Sequence, residues 1–124
     1  MDLVQIVDLQ PDCYDEYVEA HRRVPVEAEL KAVGLTNIRV HVWRAGDKSA
    51  CRLILSATWT ATQEDESFED AMERYQTMPG VKDWEAWMDR LKAHLPGQIP
   101  GRPPKWERCE CVYMSANANK ATAV

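Results

Sequence analysis

Residues Thr36–Trp59 read TNIRVHVWRAGDKSACRLILSATW, and their alternation decides the fold class. Ile38, Val40 and Val42 fall on one side of the first half, with Asn37, Arg39, His41 and Trp43 on the other. This is the two-residue period of a strand whose faces differ. Ala45–Ser49 (AGDKS) places Gly46 and Asp47 where turn chemistry is needed, and Cys51–Trp59 returns as a second strand. The stretch is therefore a β-hairpin.

Upstream, Leu3–Leu9 is apolar on both faces and reads as a strand central in its sheet. Between it and the hairpin lies Pro11–Gly34, PDCYDEYVEAHRRVPVEAELKAVG. Asp12 is the expected N-cap of a helix carrying Tyr14, Tyr17, Val18 and His21 on one face. Pro25 breaks that helix because it has no amide to donate, a second short helix follows, and Gly34 is a left-handed stop.

Downstream, Ser67 with Asp70 caps a helix bearing Phe68, Ala71, Met72 and Tyr75. Met78, Pro79 and Gly80 interrupt it, and a further helix sets Val81, Trp84, Met88, Leu91 and Leu95 along one stripe. Leu95–Pro104 has four prolines and two glycines and reads as a crossing loop, after which Lys105–Met114 alternates as a last strand. The order β-α-β-β-α-β is the ferredoxin-like arrangement, an α+β fold with a four-stranded antiparallel sheet and helices on one face. Its other face requires a cover, and two such sheets packed face to face give a homodimer, a dimeric α/β barrel. Residues 1–114 are expected to form this one domain, and the small polar stretch 115–124 a disordered tail.

The 124 residues carry 15 Lys+Arg against 20 Asp+Glu, a net charge of −5, which excludes a basic stripe for nucleic acid or an anionic membrane. MDLVQIVDLQ lacks the basic start and long apolar run of a signal peptide, so a soluble cytoplasmic protein is expected. Cys13, Cys51, Cys109 and Cys111 lack zinc spacing and read as free thiols.

Tyr17 and His21, four residues apart, stack about one turn from each other, so a phenol and an imidazole could close on one small molecule or simply fill core. His41 lies on the polar strand face, where ligand or a partner subunit could meet it. His94 is expected near a helix C-terminus, complementing its dipole. The three histidines fall on different elements and do not form a metal site.

The order and spacing of several segments resemble the L-rhamnose mutarotase family over Val4 to about Met114. They are Pro11, Asp12, Tyr17 and His21 after the first strand; Gly34 and Asn37 at the turn into the second; Met78, Pro79, Val81, Trp84, Trp87 and Met88 on the last helix; and Trp106, Val112 and Tyr113 in the closing strand. The resemblance implies an isomerase that interconverts the α and β anomers of a 6-deoxy monosaccharide such as L-rhamnose without metal or organic cofactor. It implies His21 as proton donor and acceptor and Tyr17 as a residue that places the sugar. The family's late aromatic pair falls on Trp84 and Glu85. Trp84 would offer the sugar an apolar plane, or equally fill core. Glu85 would be a second acid/base or a hydroxyl acceptor, or a solvated surface residue. Asn37 would hydrogen-bond sugar hydroxyls, or serve its turn.

Two departures stand out. Val24-Pro25-Val26-Glu27 replaces the family's W-P-E element, and Ile38 stands where a tyrosine is expected. Mutarotation needs proton transfer at the ring oxygen and the anomeric hydroxyl, and a histidine can serve as acid in one step and base in the other. The architecture equally hosts other isomerases, oxygenases and non-catalytic ligand-binding modules.

Overall fold

The computed structural model describes residues 1–115. The elements are β1 (Asp2–Leu9), a 3-10 turn (Pro11–Cys13), α1 (Tyr14–Ala20), α2 (Glu27–Ala32), β2 (Leu35–Arg44), β3 (Cys51–Trp59), α3 (Phe68–Gln76), α4 (Val81–Leu91), β4 (Lys92–Ala93) and β5 (Glu107–Arg108). The antiparallel sheet runs β2-β3-β1-β4, with β5 also on β1. This is the expected α+β, ferredoxin-like order.

β1 is central. β3 pairs along its whole length, from Asp2↔Thr58 to Leu9↔Cys51. Its other edge is shared by β4 at Asp8 and Leu9 and by β5 at Gln5 and Ile6. Leu3, Val7 and Leu9 of β1 and Cys51, Leu53 and Ala57 of β3 are buried on the same side, against the helices.

β2 carries a bulge. Its pairing steps from Thr36↔Thr58 to Arg39↔Ser56, one residue more on β2 than on β3, and Asn37 takes φ 53°. An extra residue shifts the alternation by one, so odd-numbered Leu35 and even-numbered Val40 and Val42 all face the helices. Asparagine tolerates the left-handed backbone better than most residues, which accounts for its place there.

The helix boundaries depart from expectation in two places. Asp12 is not an N-cap: Pro11 opens a 3-10 turn, and Cys13 precedes α1 with no side-chain cap. α4 stops at Leu91, because Lys92 turns extended (ψ 159°) to pair with Leu9 of β1. Leu95 is buried as expected but lies outside the helix, and His94, three residues past its end, contacts the Arg102 carbonyl rather than the helix dipole. Ser67 does cap α3, accepting from the Asp70 amide at 3.1 Å.

The last strand is much shorter than Lys105–Met114. Glu107 and Arg108 pair with Ile6 and Gln5, and the Cys109 amide donates to the Val4 carbonyl. In that antiparallel register Val112 already reaches the level of Met1, so β1 offers nothing further to pair with. Val112 and Tyr113 are accordingly exposed. Of the expected tail, residues 116–124 lie outside the described residues. All four cysteines are free, Cys51 buried and Cys111 exposed. Among the described residues no helix is long and apolar enough to cross a membrane.

Candidate active site

The helices do not fill the sheet face evenly. Val7, Leu9 and Leu53 are sealed under α1 and α4, whereas toward the other end of the strands a cavity of about 890 Å³ opens between sheet and helices. That volume suits a small-molecule site. Its sheet wall is mostly apolar, with Leu3, Gln5, Val40, Val42, Leu55 and Ala57, and Ile38 beside the bulge. The helical side adds polar groups that include Tyr17 and His21 on α1 and its terminal turn, Tyr75 on α3, Glu85 on α4, and Lys92 just after it.

His21 is fixed by its own helix. Its backbone amide closes the last turn of α1, and its Nδ1 lies 2.8 Å from the Tyr17 carbonyl oxygen. A carbonyl only accepts, so Nδ1 carries the proton and donates, leaving the Nε2 lone pair as the ring's basic site. The Tyr17 ring stacks on the imidazole at 4.1 Å between centroids, and Trp84 meets it edge-on at 5.3 Å. Trp87 backs Trp84 at 5.8 Å and donates to Glu16 at 2.6 Å, tying α4 to α1.

Burial lowers the His21 pKa from its usual 6.5, the Lys92 charge lowers it further, and the bond to the Tyr17 carbonyl works the other way. Glu85 moves in the opposite sense: burial raises its pKa above the usual 4.5, against the Lys92 charge and the Tyr75 hydroxyl, which donates to Oε1 at 3.0 Å. The Tyr17 hydroxyl is raised by burial and then by Glu85, and Tyr75 by burial and Glu85 together, so both tyrosines stay neutral. An imidazole held neutral and a carboxyl holding its proton longer than usual are a base and an acid brought closer in strength.

The structure thus brings Tyr17, His21, Trp84 and Glu85 to one cavity. Asn37 is exposed at the bulge and does not line it. His41 points to the other side of the sheet from Val40 and Val42. Sequence reasoning missed Tyr75, Lys92 and Trp106 as lining residues. Glu85, Met88 and Lys92 recur at three- and four-residue steps, a spacing that signals one helical side. Tyr75 and Trp106 read only as core and strand residues. Among the described residues no group of His, Cys, Asp or Glu is placed to hold a metal.

The cavity's groups also set a pH trend in stability. Glu85, with its folded pKa raised, contributes stability that is fully present below 4.5 and is lost as pH rises through the folded value. His21, with its folded pKa lowered, contributes stability present above 6.5 and lost as pH falls through its folded value. Glu85→Gln keeps an acceptor for Tyr75 and abolishes the first trend. Its Tm relative to wild type should rise as pH increases from 4.5 through the folded value and then level off, measured by calorimetry at matched ionic strength. A constant offset would contradict the account.

A sequence model of the L-rhamnose mutarotase family matches residues 3–115. No curated protein matches the chain. Among solved structures, the crystal structure of L-rhamnose mutarotase FA22100 from Formosa agariphila is similar at 15% identity and a TM-score of 0.58, covering 93% of this chain and 98% of that one. At that identity the likeness concerns the fold.

Proposed function

The chain belongs to the L-rhamnose mutarotase family, enzymes that interconvert sugar anomers, and from that premise we propose that its cavity exchanges the α and β anomers of a 6-deoxy monosaccharide such as L-rhamnose. The observation that carries the reading is the convergence of an imidazole whose pKa is lowered and a carboxyl whose pKa is raised on one mostly apolar cavity.

His21 Nε2 takes the proton of the anomeric hydroxyl while Glu85 gives one to the ring oxygen. The C1–O5 bond breaks, the electrons of the O1–H bond become the second C1–O1 bond, and the open aldehyde forms. Rotation about C1–C2 presents the other carbonyl face, and the proton transfers reverse on closure. Proton transfers suffice for every step. Trp84, beside His21, offers the sugar's C–H face an apolar plane, and Tyr17 holds both the imidazole and the sugar in place.

The test is saturation-transfer NMR between the anomeric signals of L-rhamnose, L-fucose and a panel of other reducing sugars. Protein-dependent exchange with a 6-deoxy sugar is the expected result. Binding without exchange would leave a ligand-binding module, and neither would end the sugar reading. Glu85→Gln should cost exchange about 10²-fold, the scale of one misplaced proton-transfer group.

The assembly proposed is a homodimer packed through the open sheet face. Trp43 and Val4 lie exposed on that face, 54% and 39% accessible, beside half-buried Ile6 and Ile54. A contiguous apolar surface of this kind is what a second sheet would cover. Wild type should sediment at twice the chain mass and Trp43→Glu as a monomer; a monomeric wild type would overturn the assembly. Four free thiols favour the cytoplasm as its compartment.

A further inference from the structure

Lys92 is the one buried charged residue among those described, 6% exposed, and it lines the same cavity as His21 and Glu85. Its place is rigid. Just past α4, its backbone pairs with Leu9 of β1, and the Gln10 side-chain amide donates to the Arg90 carbonyl at 2.8 Å and to the Lys92 carbonyl at 3.2 Å. The stem therefore starts from a fixed point. An ammonium has three donors, and among the described residues one hydrogen-bond partner serves them, Asp89, whose Oδ1 lies 3.3 Å away. The face of Trp106 covers the ammonium at 5.3 Å. Burying a cation with donors unmet is costly unless a ligand meets them.

Resting on the sugar reading above, we propose that Lys92 is a specificity-determining residue of this cavity: its ammonium donates to a sugar hydroxyl that in turn donates to Glu85, with Trp106 as the second aromatic wall. A hydroxyl both accepts and donates, so an ammonium and a carboxyl oxygen on one wall match it. A position lacking that hydroxyl would leave the ammonium with Asp89 alone among the described residues. The same placement tunes the acid/base pair. His21 faces Tyr17, Trp84 and Lys92; Glu85 faces Tyr17, Tyr75, Asp89 and Lys92; and Glu29 of α2 stands behind Tyr75. Removing the Lys92 charge therefore moves the His21 titration midpoint up.

The test uses methyl α-L-rhamnoside, whose locked anomeric carbon separates binding from anomer exchange. Binding is followed by NMR in wild type, Lys92→Met and Lys92→Arg, together with His21 titration. Lys92→Met should weaken binding about tenfold or more, the scale of one hydrogen bond to a charged group, and raise the His21 midpoint. Lys92→Arg should recover part of both. Because a variant can misfold, the Lys92 side-chain resonances of the wild type are read as well, and they should shift when the rhamnoside is added.

Lys92 resonances that do not move, Lys92→Met binding like wild type, or an unmoved His21 midpoint would overturn the inference. If the wild type exchanges L-rhamnose anomers and Lys92 stays silent, this inference alone fails. If the wild type neither binds nor exchanges any sugar, the reading of the site fails and takes the inference with it.

Discussion

His21→Ala will lower protein-dependent anomer exchange by about 10²–10⁴-fold, down to the spontaneous rate, while leaving the fold in place. The imidazole is half-buried at the end of α1, and its one hydrogen bond goes to the carbonyl of its own helix. Among the described residues its ring contacts are with Tyr17 and Trp84, so truncation removes the basic Nε2 without orphaning a buried partner there. The assay is polarimetry of freshly dissolved α-L-rhamnose, with circular dichroism as the folding control. Loss of exchange with an intact spectrum is expected; exchange at the wild-type rate would remove His21 from the mechanism.

Gly34→Ala will be the most damaging small substitution to stability, by about 3 kcal/mol, or a Tm lower by about 10 °C. Gly34 joins α2 to β2 at φ +101°, a backbone that L-residues resist. A Cβ there would lie 2.0 Å from the Thr60 carbonyl oxygen, which is main chain and cannot swing aside. The same junction is closed by the Thr60 amide donating to the Gly34 carbonyl at 3.0 Å and Trp59 Nε1 donating to the Val33 carbonyl at 2.9 Å. Relieving the clash means opening these bonds and shifting Leu35 and Ile38, which line the cavity. Gly46, at the hairpin turn, has open space around its Cβ position, so Gly46→Ala serves as the near-neutral control. Thermal denaturation of both variants checks the contrast.

Much of this was legible in the sequence where one physical constraint acts alone. The hairpin showed in its alternation, Pro25 in its missing amide, Gly34 in its need for a left-handed backbone, and Ser67 in its cap. Legibility failed where a distant partner decides. Leu91 ends α4 because β1 has a free edge at Leu9, which no local pattern encodes. The last strand alternates through Met114, yet its partner runs out near Met1.

The site divides in the same way. Tyr17 and His21 could be read from helical spacing, since both lie on α1 and its terminal turn. Asn37 could not be placed, because the bulge that turns it outward depends on the pairing of β2 with β3. Lys92 was invisible as a site residue because lysines are ordinarily exposed, and its burial arises only once α4, β1 and Trp106 meet.

The central claim is that neutral His21 carries the proton in anomer exchange, and one paired measurement tests it most directly. The exchange rate of L-rhamnose is followed from pH 4 to 8 by saturation transfer, and in the same samples His21 is titrated through its ring resonances, across a range that spans its ordinary pKa of about 6.5. The account predicts that protein-dependent exchange falls on the acid side with the midpoint of His21 itself, below 6.5. An acid limb that departs from the His21 midpoint, or that persists unchanged in His21→Ala, would contradict it.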